Sequence, residues 1–225
     1  MFTAQGPTLT ELAVQALSST RRGYDLLAPR FDRTPFRTPD AILDPVRETL
    51  AAIGPFGTGL DICCGTGAGV GVLRQVCTER VTGVDFSAGM LGVAARTAAS
   101  VPGPPVDWVQ ADARALPFDG AFDLAVSFGA FGHFLPEERP LLFARAHAAL
   151  RPGGRFAFPV LAPPGPASWL YWALLGFDAT MRVRNALWRP RFIMYYRTFP
   201  LSGVLTDLHH AGFSVELTPL TALGR

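Results

Sequence analysis

Hydrophobic and polar positions change period several times along the chain. Residues 9–18 and 40–52 carry apolar positions at helical spacing. Between them, "YDLLAPRFDRTPFRTP" is too rich in Pro and charge for one continuous helix. An alternation then begins. "GLDICC" is a short apolar strand closed by Gly, "GVGVLRQVC" a helix, "VTGVDF" a second strand and "AGMLGVAARTAA" a second helix. "VDWVQAD" and "FDLAVSFGAF" read as the third and fourth strands. "PEERPLLFARAHAAL" is a helix opening near Pro136, a residue that a first turn tolerates. "RPGG" stops it, because glycine takes left-handed backbone angles at little cost. "RFAFPVLA" is the fifth strand.

Short, almost wholly apolar strands alternating with helices predict an α/β fold with a doubly wound, mostly parallel sheet covered on both faces. Right-handed crossovers follow from chain chirality. Ligands in such sheets bind at the carboxyl ends of the strands, where Gly65, Asp85, Asp112 and Phe128 fall. The rhythm breaks after Ala162. The next stretch, "PPGPASWLYWALLGFDATMRVRNALWRPRFIMYYRTFP", is aromatic and Arg-rich and reads as an insertion. Alternation resumes with "LSGVLTDLHHAGF", a helix, and "SVELTPL", a strand. The expected organisation is a single domain over 1–225. It comprises an amino-terminal cap (1–40), a core (41–162 and 201–225) and an aromatic lid insertion (163–200).

Composition narrows this further. A length of 225 residues suits one α/β domain, since domains beyond roughly 250 residues tend to split. The net charge of +2 gives no electrostatic case for a nucleic-acid partner. All 20 basic residues are Arg, which with the abundant Ala, Gly and Pro fits a GC-rich bacterial genome. The uncharged run 156–177 is long enough to resemble a membrane span, but it holds Pro159, Pro163, Pro164 and Pro166. Pro costs about 3 kcal/mol in a helix interior, so the run is expected to be a strand, a turn and a short helix. "MFTAQGPTLTEL" lacks the basic and apolar regions of a signal peptide. The three cysteines, Cys63, Cys64 and Cys77, show no framework spacing. A reduced, cytoplasmic setting is expected.

The candidate chemistry lies in "DICCGTGAG". Adjacent strand residues face opposite ways, so Cys63 and Cys64 do not favour one metal ion, and zinc wants about four ligands. No metal is expected, and the thiols read as small buried hydrophobes. A phosphate loop of the Walker type needs Lys, which the chain lacks. The dinucleotide fingerprint fails as well, because its third glycine position is Val70 or Val72 and Gly69 sits one place early. An NAD-dependent oxidoreductase is therefore the weaker enzyme alternative.

Asp61, the run Gly65-Thr66-Gly67-Ala68-Gly69 and Asp85 at the end of the second strand form a different constellation. It resembles the class I S-adenosylmethionine-dependent methyltransferases, whose first motif Asp/Glu-x-x-x-Gly-x-Gly is matched by "DICCGTG". The resemblance continues through "VTGVDFSAGML", "VQADARALPF", "FDLAVSFGAFGHF" and "ALRPGGRF", covering 59–162 and resuming near Leu201. It implies a Rossmann-like methyltransferase fold and S-adenosyl-L-methionine as cofactor. It further implies that Gly65, Thr66 and Gly67 cradle the amino-acid end, which Asp61 orients, and that Asp85 accepts from the ribose hydroxyls. Phe86 and Met90 would then pack near the adenine, Asp112 would accept from its amino group and Ala113 would contribute backbone. Phe128 and Gly129 would pass the ammonium and the methyl group. "YDLLAPRFD" resembles the family's Tyr-Asp-x-x-Ala cap, placing Tyr24 over the cofactor and Phe31 or Arg33 near cofactor or substrate. His133 is the candidate general base, with an ordinary pKa near neutrality; a structural or cofactor-contacting role is the alternative. His147, His209 and His210 lie on helices away from the site.

The acceptor is approached by exclusion. No Asn/Asp-Pro-Pro-Tyr/Phe follows the fourth strand, no Pro-Cys nucleophile is present, and no basic RNA-binding module is evident. A small, rather apolar acceptor is expected: a lipid, a quinone precursor or another secondary metabolite. Trp169, Trp172 and Tyr195 of the insertion are its candidate contacts. "ASWLYWALLGF" is apolar on all sides, so it should be buried, lie on a bilayer or enclose an apolar ligand. Peripheral membrane contact through 167–191 and a homodimer interface are the rival roles. The family's sheet normally ends with a sixth and an antiparallel seventh strand. Here the chain stops at "TPLTALGR", so a shortened or missing seventh strand is expected, with dimerisation able to cover the edge. A catalytically inactive cofactor-binding scaffold is the alternative from a different functional class.

Overall fold

The computed structural model describes residues 6–160 and 164–220. Three helices precede the sheet: α1 (Leu9–Leu17), α2 (Thr20–Leu27) and α3 (Asp40–Ile53). The alternation then runs β1 (Phe56–Ile62), α4 (Ala68–Val76), β2 (Cys77–Asp85), α5 (Ala88–Ala99), β3 (Val106–Gln110) and β4 (Phe122–Val126). It continues with α6 (Arg139–Ala149), β5 (Leu150–Ala157), α7 (Trp169–Leu187) and α8 (Leu201–His210). The strands pair in the order β3-β2-β1-β4-β5, and every pairing is parallel. This is the expected doubly wound α/β sheet. Its order reverses between β1 and β4, which opens a crevice at their carboxyl ends.

The central strands are sealed on both faces. Leu60, Val81, Leu124, Ala125 and Val126 have no exposed surface. One core cluster sets Phe143 of α6 and Val204 of α8 against one face, through Leu60 and Ala125. The other sets Leu43 and Leu50 of α3 and Leu73 of α4 against Leu124 and Val126. Neighbouring residues of β4 thus serve opposite faces, as a strand's period of two requires. Arg139 ties α6 to α8 through an ion pair with Asp207 (2.9 Å) and donates to the Thr198 carbonyl.

Several expectations need correction. Tyr24 to Leu27 of the Pro-rich cap stretch are helical, within α2, and a 3-10 segment, Ala28–Arg33, carries Pro29 in its first turn. β1 begins at Phe56, earlier than its glycine-rich opening suggests. A Cβ on Gly59 would meet the Cys77 sulfur at 2.8 Å, so glycine here permits close packing. Cys77 opens β2 instead of ending α4. Cys63 and Cys64 lie beyond β1, and Cys63 takes a left-handed φ of 61°. "RPGG" belongs to β5, where Gly153 at φ 80° sits in an irregularity that shifts the register against β4. "SVELTPL" forms no strand among the described residues; Phe213 and Val215 pack as side chains against the α6 core instead. Leu161 and Ala162 of the expected fifth strand, and 221–225 of the expected strand stub, lie outside the described residues.

The helix expected to be short runs for 19 residues as α7, opened by Ser168, whose hydroxyl accepts from the Leu170 N–H. Pro159, Pro164 and Pro166 all precede Ser168 and so stand outside both β5 and α7. Among the described residues no helix is long and apolar enough to cross a membrane.

Candidate functional site

A cavity of about 440 Å³ opens at the carboxyl ends of β1, β2 and β4. Its floor is the turn between β1 and α4. Gly65 (φ 52°) and Gly67 (φ 95°) hold the left-handed angles that turn requires, and Gly67 caps α4. The third glycine has a different reason. A Cβ on Gly69 would lie 2.5 Å from the Asp61 carboxylate and 2.7 Å from the Phe128 ring. Gly69 is therefore placed to let an acid and an aromatic ring close over the start of α4.

Asp61 is 1% exposed, and neither of its carboxylate oxygens has a hydrogen-bond partner. Burial raises its pKa well above the usual carboxylate range, and the Asp85 charge adds to the rise. The Val70 amide offsets part of this without reaching hydrogen-bond geometry. A buried, unpaired acid on a cavity wall is costly unless a cationic or donor group meets it.

Asp85 ends β2 and is better satisfied. It accepts from the Gly65 N–H and the Ser87 N–H, each at 2.9 Å. Burial still raises its pKa, despite these bonds. Two amides leave lone pairs free to accept from a ligand's hydroxyls. Phe86, Met90 and Ala113 line the same cavity, and Met90 is fully buried. Asp112 also lines it, but both its oxygens are engaged by Arg114, whose guanidinium lowers the Asp112 pKa. Arg114 also pairs with Glu138.

The cap is pinned to this floor by two acids that sequence reasoning passed over. Asp25 accepts from the Ser87 hydroxyl (2.6 Å) and the Gly89 N–H (2.9 Å), fixing α2 at the start of α5. Asp32 accepts from the Thr66 hydroxyl (2.6 Å), fixing the 3-10 segment on the glycine turn. Both acids lie in "YDLLAPRFD", the stretch that also supplies Tyr24 and Phe31.

Tyr24 and His133 meet across the cavity wall. The Tyr24 hydroxyl lies 2.7 Å from His133 Nε2, and His133 Nδ1 lies 2.6 Å from the Ile193 carbonyl. A carbonyl accepts only, so Nδ1 carries the proton and donates, and Nε2 accepts from the Tyr24 hydroxyl. Burial holds the imidazole below its usual pKa, partly offset by Ile193, and burial pushes the Tyr24 phenol up. Both side chains are thus neutral near pH 7. The thiols take no part of this kind. Burial raises Cys63 and Cys64 well above the thiol range, so neither is an activated nucleophile. No metal-binding cluster occurs among the described residues.

Tyr24, Asp61, Gly65, Thr66, Asp85, Phe86, Met90, Asp112, Ala113, Phe128 and His133 all line the one cavity. Gly67 stands just behind, as the cap of α4. Phe31 lines the cavity and Arg33 does not. Trp169 and Trp172 do not line it either; they are 78% and 60% exposed. Tyr195 is buried beside the cavity, where its hydroxyl accepts from Asn185 and Arg182 lies over its ring. The insertion contributes Ile193, Met194 and Tyr196 to the wall instead. They are held there by backbone: Tyr195 N–H donates to the Gly132 carbonyl, and Ile193 N–H to the Thr20 hydroxyl.

Comparison with known proteins agrees with this architecture. A family model described as "Methyltransferase domain" matches residues 60–154. A demethylmenaquinone methyltransferase of Thermus thermophilus is 39% identical over 172 residues, spanning 72% of this chain and 76% of the relative. An uncharacterized methyltransferase of Synechocystis is 32% identical over 139 residues, spanning 61% of this chain and 62% of its own length. The match thus takes in less than two thirds of that second relative. Among solved structures, an S-adenosylmethionine-dependent methyltransferase from Mesorhizobium loti superposes with a TM-score of 0.57 at 24% identity. That superposition covers 78% of this chain and 84% of the other, and it shares the fold.

Proposed function

The chain belongs to the S-adenosylmethionine-dependent methyltransferases, and from that membership we propose that it methylates a small, apolar acceptor of the quinol or prenylated aromatic class. One observation carries the cofactor half of this reading: the buried, unpaired carboxylate of Asp61 beside a left-handed glycine turn. The cofactor's methionyl end bears an ammonium, which is the partner such an acid needs. No phosphate has to be bound, in keeping with the absence of Lys. Asp85 is assigned to the ribose hydroxyls, and Phe86, Met90 and Ala113 to the adenine. Phe128 is assigned to the sulfonium end. Asp112 acts mainly by fixing Arg114 at the rim.

When bound, the cofactor supplies an electrophilic methyl group on a sulfonium. The chain's own contribution is orientation and proton handling. The Tyr24 oxygen takes the acceptor's proton while the phenol passes its own to His133 Nε2. The Ile193 carbonyl steadies the resulting imidazolium through Nδ1–H. The base is thereby a pair, with Tyr24 facing the acceptor and His133 behind it.

The acceptor class is supported by the apolar wall of Phe31, Phe36, Phe134, Ile193 and Met194, and by the Thermus relative's name. Titration calorimetry with S-adenosylhomocysteine tests the cofactor half. Micromolar affinity, about −8 kcal/mol, is expected, with at least a tenfold loss in Asp61→Asn. Preferential binding of NAD overturns it. Turnover on a panel of quinols with labelled cofactor tests the acceptor half; tight binding with no turnover on any of them favours the inactive scaffold.

A further inference from the structure

The outward side of α7 has the wrong chemistry for water. At 3.6 residues per turn, Trp169, Trp172, Gly176, Val183 and Leu187 fall on one stripe. Trp169 (78%), Val183 (58%) and Leu187 (82%) are exposed there, and no charged residue falls among them. The opposite, buried side carries the polar groups. Asp178 accepts from the Tyr196 and Arg197 N–H groups, and Asn185 exchanges hydrogen bonds with Phe192 and donates to Tyr195. The helix is thus polar inward and apolar outward, the reverse of a surface helix.

Charge frames the stripe. Arg182 and Arg184 flank it on either side, and Arg189, Arg191 and Arg197 follow. Asp178 is the sole acid between residues 164 and 200, and it is buried. None of these five arginines pairs with a carboxylate among the described residues.

We propose that α7 lies flat on an anionic lipid bilayer, apolar stripe down, with the exposed Arg182, Arg189 and Arg191 on the headgroups. Tryptophan suits the boundary between headgroup and acyl chain, and arginine stems reach along it to lipid phosphates. A second copy of this chain fits the surface less well. A two-fold interface would set each arginine-flanked stripe against its like, with no acid on either side to meet the charge. A neutral protein patch would offer no acid to these cations, of which Arg184, Arg189 and Arg197 meet only carbonyl and hydroxyl oxygens within the chain and Arg182 the Tyr195 ring. The helix does not cross the bilayer, since no described helix is apolar enough to do so.

The surface connects with the cavity. Tyr196 lines the cavity and packs edge-on against Phe177 of α7, at 5.1 Å between centroids. Docking through α7 therefore brings one cavity wall to the lipid boundary, where an apolar acceptor partitions. The relevance to acceptor supply rests on the methyl-transfer reading; the docking does not.

Co-sedimentation of the full chain with vesicles tests the surface independently of turnover. Vesicles of phosphatidylglycerol in phosphatidylcholine are expected to carry the protein down. Phosphatidylcholine alone, or half-molar salt, should reduce the bound fraction at least tenfold. Val183→Glu with Leu187→Glu should cause a comparable loss while melting like the parent; Leu187→Ser alone, at the most exposed position, gives a milder variant with a smaller loss. Protein left in the supernatant with anionic vesicles overturns the proposal. So does equal binding to both vesicle types, or parental binding by the folded double variant. A dimer in light scattering that the double variant disperses, without vesicle binding by the parent, assigns the stripe to a second copy instead.

Discussion

At the residue scale, Asp61 sets stability against function. Its folded-state pKa is raised above the ordinary value of 3.8, so the folded protein holds this proton more tightly than the unfolded chain. The linkage sign follows: stability is lost as pH rises from the unfolded value through the raised one, and is regained on acidification across the same window. Asp61→Asn removes the charge and should raise the stability of the ligand-free protein at neutral pH by about 1 kcal/mol or more. That corresponds to roughly 2–4 °C in Tm per kcal/mol for a chain of this size. Thermal melts between pH 4 and 8 should show the parent declining with pH relative to the variant. An unchanged difference across that range would remove Asp61 as the titrating group. The Tyr24–His133 pair makes a second prediction. Tyr24→Phe deletes the bridging hydroxyl but keeps the ring against Phe192 and Phe31. Turnover should fall about 10²–10⁴-fold, with cofactor affinity within a factor of a few. Because burial lowers the His133 pKa, kcat/KM should rise with pH through a value below 6.5 and then level off. The groups around the pair are Tyr196, Asp85 and Cys63, all of which act to hold the Tyr24 phenol protonated.

At the element scale, the decisive contacts are those that join segments distant in sequence. Asp25 fixes the cap to the start of α5 and Asp32 fixes it to the glycine turn, while the insertion holds the cap through Ile193 and Thr20. Within the insertion, Asp178 ties α7 to the extended segment that walls the cavity. Asp178→Ala leaves the Tyr196 and Arg197 amides without that acceptor. The expected loss is about 1–3 kcal/mol, read from urea unfolding with an unchanged m value. A stability equal to the parent's would mean that water satisfies these amides and the wall is not held by α7. The inverted polarity of α7 also explains how its length escaped the sequence. Asp178, Arg182 and Arg184 interrupt an apolar run without interrupting the helix, since Asp178 accepts from two buried-side amides and both arginines leave from the flanks.

At the scale of the whole molecule, the sheet was legible because its strands are short, apolar and regularly spaced. Burial on both faces admits few other residue types, so the central strands β1, β2 and β4 announce themselves, while the half-exposed β3 and β5 follow from the regular spacing. Asp61, Gly65, Gly67, Asp85 and Phe128 were legible for a related reason: strand ends and turns need particular residues in a particular order. What failed were features in which local preference and tertiary context diverge. "SVELTPL" has a strand's pattern, yet Phe213 and Val215 find their burial against α6 and form no ladder. "RPGG" has a helix stop's pattern, yet the chain takes it up as a bulge in β5. Trp169 and Trp172 have a lid's composition, yet they are exposed and do not line the cavity. By itself the sequence determined the fold class, the place of the cavity and the acids and glycines on its floor, because these depend on local backbone geometry and on burial by alternation. Tertiary structure alone decided which nitrogen of His133 carries the proton, which acids pin the cap and which way α7 faces. Each depends on partners separated by long stretches of chain, and no local pattern encodes a contact whose other half lies elsewhere.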